Sequence, residues 1–167
     1  FFPELNTASI PTGERFEAVL FLDTHHESIN AVRGEISYPF DFRVEEIRNG
    51  NSLVNFWVEL PHVAAAGRIS FSGIFAGGMD TQKGKLFSVI FQATHEGNGS
   101  IAIGNTQALL NDGSGTSASS VNSSVAFSVS DTFPPAQNSF LESDEVAPEE
   151  FIPAISRDQN IFNNEYF

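Results

Sequence analysis

Two short stretches decide the fold: SINAVRGEISYPFDFRVEEI (28–47) and GRISFSG (67–73). In the first, Val32, Gly34, Ile36 and Tyr38 alternate with Arg33, Glu35 and Ser37. In the second, Ile69 and Phe71 alternate with Arg68, Ser70 and Ser72. A two-residue period is that of a half-buried strand, so the first set is expected inward and the second outward. Pro39 ends the first strand, because proline cannot donate to a sheet ladder.

The same pattern extends in both directions. Short strands are predicted over Thr7–Ile10, Arg15–Asp23, Phe42–Ile47, Leu53–Leu60, Ser100–Leu110 and Val121–Val129. Leu86–Ala93 is apolar on both faces and reads as a central strand covered on both sides. Turns fall at Pro11-Thr12-Gly13, Asn49-Gly50-Asn51, Gly77-Gly78 and Asn111–Ser120. No window keeps a 3.6-residue apolar period for three turns. The expected architecture is all-β: an antiparallel jelly-roll sandwich of about nine strands over residues 1–131.

Composition agrees. Seventeen Phe stand against one Trp and one Met in 167 residues, so the core is built on aromatic rings. Residues 132–150 hold Pro134, Pro135 and Pro148 with five acids between Glu142 and Glu150, the composition of an extended, self-repelling linker. Residues 151–167 recover Phe151, Phe162, Tyr166 and Phe167 and read as an aromatic tail: a docking segment or the start of a following domain.

Eight basic and 21 acidic residues give a formal charge of −13, which repels nucleic acid and anionic membranes. No apolar run approaches the roughly 18–20 residues that span a bilayer. Without cysteine there is no disulfide, zinc–thiolate site or thiol nucleophile. The chain starts at Phe1 with no charged-then-apolar leader, which fits a mature exported protein or a trimmed chain.

The order of these segments resembles the cohesin family. INAVRGEISYP, then RVEEI, FWVEL, GRISFSG, GKLFSVIFQA and GSIAIGNTQALLNDGSGT follow the family's succession of strands around a Tyr corner, over about residues 7–130. The resemblance implies a nine-stranded jelly roll that binds a partner through one flat sheet face. In typical cohesins that partner is a dockerin, a small calcium-loaded module. The family carries an Asn/Asp-type polar pair on the strand before the Tyr corner, where this chain has Ala31 and Arg33. That departure bears on the partner and leaves the fold untouched.

Function is therefore expected on exposed strand faces. The candidate partner-binding residues are Arg33, Glu35 and Ser37 with Arg68 and Ser70, joined by Trp57 on an outward Asn55/Trp57/Glu59 register. As ordinary structure, the same stripe is a solvated sheet face and Trp57 a half-buried ring. Asn111 and Asp112, in a loop rich in oxygen-bearing side chains, are candidate calcium ligands with Asp23 and Glu27 from a second loop. Asp112-Gly113 is equally a favoured hairpin turn.

His25 and His26 are adjacent and point apart, and no HExxH, Walker or nucleophile-elbow motif occurs. Glu35, Glu45, Glu46 and Glu59 lie on strands, but nothing selects a catalytic pair. No cofactor is required beyond the possible calcium. The leading expectation is a non-catalytic, secreted or cell-surface module whose partner is dockerin-like or another surface protein. One alternative is a carbohydrate-binding module stacking sugars on Trp57, Tyr38 or an exposed Phe. Another is a structural subunit of a surface filament or layer.

Overall fold

A computed structural model describes residues 1–131 as ten β-strands in two sheets, with no helix among them. The expected linker and aromatic tail, 132–150 and 151–167, lie outside the described residues. The strands are β1 (Phe2–Leu5), β2 (Ser9–Pro11), β3 (Arg15–Leu22), β4 (Ile29–Ser37), β5 (Arg43–Arg48), β6 (Phe56–Ala65), β7 (Arg68–Met79), β8 (Gly84–Gln92), β9 (Gly97–Leu110) and β10 (Ser124–Ser130). One sheet runs β1-β3-β8-β5 and the other β2-β10-β9-β4-β7-β6. All pairs are antiparallel except β2 with β10.

Inward side chains of both sheets form one core. Phe71 on β7 meets Phe87 on β8 edge to face, with ring centroids 5.1 Å apart. Phe16 on β3 touches Phe42, Phe91 and Phe127, joining the sheets at the other end. Such offset and edge contacts are what aromatic quadrupoles favour, so rings fill the core without strict stacking. Val32, Ile36, Ile69 and Phe71 are buried as their alternation requires. β8 is central in its sheet, between β3 and β5, as its apolarity suggests. Leu86, Phe87, Ser88 and Val89 are consecutive and all buried beside a register shift, while Ile90 and Gln92 alternate with buried Phe91 as half-buried residues.

Three local expectations need correction. Phe2–Leu5 is an additional strand, paired with β3. β6 does not stop before Pro61 but runs through it to Ala65. This is tolerated because β6 is an edge strand, and a missing donor on its free side breaks no ladder. β7 likewise continues through Gly77 and Gly78, both at positive φ, where a loop was expected.

The β6–β7 turn locks the corner beside the exposed face. Gly67 sits at φ +74°, and its carbonyl accepts the Tyr38 amide at 3.0 Å. A Cβ there would lie 2.9 Å from the Tyr38 carbonyl oxygen, so both conformation and space require glycine.

Candidate functional site

Four adjacent strands, β9-β4-β7-β6, present their outer side chains as one face. The β4–β7 register pairs Arg33 with Ser72, Glu35 with Ser70 and Ser37 with Arg68. The stripe read from alternation is thus a set of direct cross-strand neighbours. On the other flank β4 pairs with β9, Glu35 opposite Gly104 and Arg33 opposite Gln107, with an irregularity between them that holds Asn105 and Thr106. Asn105 takes a positive φ of 49° there, a conformation Asn tolerates better than most residues.

Glu35 is the hub of this face. It accepts a hydrogen bond from Asn105 Nδ2 at 2.7 Å and lies 3.6 Å from Arg68 Nε. Arg33 has no carboxylate at ion-pair distance among the described residues. Around them opens a depression of about 650 Å³, walled by Arg33, Glu35, Ser70, Ser72, Asn105 and Val58. From β6 it is edged by Val58, 62 % exposed, and Glu59, and Phe56 on the same strand is 64 % exposed.

Trp57 falls on the opposite side from its expected register. It is half-buried, pairs with inward Gly73, and packs its ring edge to face on Phe87 at 6.1 Å. Irregularities between Trp57 and Glu59 and between Glu59 and His62 reset the strand's phase, so apolar Phe56 and Val58 face out instead. Tyr38 is also buried, which pushes its phenol pKa up. Neither ring is a free stacking platform for a sugar. Among the described residues, the exposed phenyl rings are Phe40 and Phe56.

The two loops proposed for calcium do adjoin, since the Asn111 amide donates to the Ser28 carbonyl at 2.8 Å. Their side-chain oxygens are engaged in turns. Asp112 Oδ1 accepts the Ser114 amide at 2.8 Å and Asp23 Oδ1 the His25 amide at 2.8 Å. Asn111 donates to the Gly77 carbonyl and accepts from Asn30. The Thr116 hydroxyl, then the Ser114 amide, hold Asp112 below the usual carboxylate range. Among the described residues no three His, Cys, Asp or Glu gather as metal ligands, so Asp112, Asp23 and Glu27 are not brought together.

The strand carboxylates are likewise engaged. Glu45 lies against Arg15 and Arg43, Glu46 against Arg48, and Glu59 near His62. The sequence reading missed Asn105 and Val58, while Glu59 lies outward as its alternation requires, opposite Ser72. Asn105 needed the β4–β9 irregularity, and Val58 needed the phase of β6.

The two-sheet, all-β arrangement is that of a cohesin-like β-sandwich, as the similarity to solved structures shows. A cohesin module from a Clostridium perfringens family 33 glycoside hydrolase superposes with a TM-score of 0.62 at 14 % identity, over 76 % of this chain and 94 % of that one. A non-cellulosomal cohesin from Archaeoglobus fulgidus gives 0.59 at 19 % identity, over 75 % and 88 %. The sixth cohesin of scaffoldin B from Acetivibrio cellulolyticus gives 0.56 at 12 %, over 75 % and 96 %. No family model matches the sequence, and no curated protein matches it. The chain has the cohesin fold.

Proposed function

We propose that this protein is a non-catalytic protein-binding module, secreted or on a cell surface, that docks its partner on the outer face of β9-β4-β7-β6. The observation that carries the reading is the face itself: a polar depression around Glu35 and Arg33, edged by exposed Val58, with exposed Phe56 on the same strand. Apolar anchors beside directional polar groups make the usual anatomy of a protein interface. Similar folds support the choice of partner class. The Acetivibrio cohesin was solved in complex with a Cel5 dockerin, and two Clostridium thermocellum cohesins in complexes with dockerins. A dockerin-like module is therefore the first partner to test.

Polysaccharide binding is the weaker reading, because Trp57 and Tyr38 are packed in the body of the domain. A filament role for the aromatic tail concerns residues outside the described ones. The test is a calorimetric screen of dockerin modules against the full chain and Ser70→Trp, which fills the depression. Binding by the native chain, reduced at least tenfold in Ser70→Trp, is expected. Equal binding by both would remove this face from the interaction.

A further inference from the structure

Among the described residues, Arg33 carries the charge on this face that has no acidic partner. Of the basic residues described, Arg15 and Arg43 are paired with Glu45, Arg48 with Glu46, Arg68 with Glu35 and Lys83 with Glu4. Lys85 lies on the other sheet. Glu35, the nearest acid along β4, is held by Arg68 and Asn105. Glu59, the other acid at the depression, lies 3.6 Å from the His62 imidazole. Arg33 is thus a free guanidinium in a molecule whose acids outnumber its bases by 13.

Its surroundings define what would satisfy it. Arg33 stands between two depressions, the large one with Ser70 and Val58, and a smaller one of about 80 Å³ walled by Ala31 and Leu109. A partner covering both removes water from the guanidinium, and an uncompensated buried charge is costly. A carboxylate on the partner offsets that cost with a charge-assisted, bidentate hydrogen bond. The exposed pair Phe56 and Val58 lies two strands away on β6, about 10 Å at normal sheet spacing.

We infer that the partner presents an aspartate or glutamate to Arg33, about 10 Å from aliphatic side chains that cover the apolar pair on β6. This rests on the reading of the face as protein-binding. It makes Arg33 the residue that selects partners by charge: an acidic residue is accepted at the matching position and a basic one rejected.

A display library on a helical scaffold tests it. Leucines are fixed at positions i and i+4, and position i+7, about 10 Å along the helix, is randomised. The full chain, Arg33→Gln and Arg33→Glu serve as baits. Only binders lost on Ser70→Trp are counted, and circular dichroism checks that each bait is folded.

Aspartate and glutamate should outnumber lysine and arginine at i+7 at least tenfold with the native bait. The preference should vanish with Arg33→Gln and reverse with Arg33→Glu. Face-dependent binders with no charge preference would overturn this inference and leave the protein-binding reading standing. A failure to select any face-dependent binder would overturn both.

Discussion

Trp57 and Gly73 face each other across the β6–β7 pair, and each explains the other. A Cβ on Gly73 would lie 3.3 Å from the indole and 2.5 Å from a Val54 methyl, so the glycine makes the space that the ring fills. Trp57→Ala should destabilise the protein by about 2 kcal/mol, below the range for a fully buried Trp because the ring is half-exposed. Urea unfolding measures this, and a loss under about 0.5 kcal/mol would mean the ring is not part of the core. Ser88 predicts the opposite sign. It is fully buried and its hydroxyl has no partner among the described residues. Ser88→Ala removes that desolvated group and should stabilise by about 1 kcal/mol, or roughly 3–6 °C in Tm; an unchanged or lower Tm would show the hydroxyl to be satisfied. Asp112 gives a residue-scale pH test. Its pKa is depressed by the Thr116 hydroxyl first, so its contribution is present above the unfolded value and is lost as pH falls through the folded one. Thr116→Val should move its NMR titration midpoint upward, and an unmoved midpoint would sink that assignment.

At the scale of elements, β6 is where alternation failed and where the candidate site lies. β4 and β7 were legible because each sets plainly polar residues against plainly apolar ones, Arg33, Glu35 and Ser37 against Val32 and Ile36. The facing stripe therefore followed from residue order, and the register bears it out. On β6 both sides carry large apolar residues, and the irregularities after Trp57 and Glu59 change its phase without any mark in composition. A one-residue slip moves every side chain to the other face. Asn105 was hidden for a related reason, since an irregularity is a property of two paired strands and only one is read at a time. As an edge with no further strand among the described residues, β6 is also an aggregation hazard, and Pro61 with these irregularities blunts it. Pro61→Thr restores a backbone donor in the middle of the edge. Sedimentation velocity should then show concentration-dependent self-association that the native chain lacks, and a wholly monomeric variant would remove Pro61 from that protective role.

At the scale of the molecule, the question is whether the sandwich is self-sufficient. Its core cluster, from Phe1 on the first sheet's edge to Phe127 and Val129 on β10, draws on both sheets and most of the strands. Seven of the 21 acidic residues and one of the eight basic residues fall in 132–167, so that segment carries close to half of the net charge. We expect residues 1–131 to be a domain that folds alone, with 132–150 a spacer and 151–167 a separate segment. A chain cut after Asp131 should unfold in one cooperative transition with a calorimetric enthalpy of about 90 kcal/mol near 60 °C, the value for some 130 residues of packed protein. Its far-UV spectrum should be that of an all-β protein. Shedding that many like charges relaxes self-repulsion, so its Tm should equal or exceed that of the full chain at low salt, with the difference closing as salt is added. A broad transition with a much smaller enthalpy would mean that the segment beyond 131 contributes to the core. The aromatic residues at 151–167 would then belong to this domain, and the boundary drawn from proline and charge would be in the wrong place.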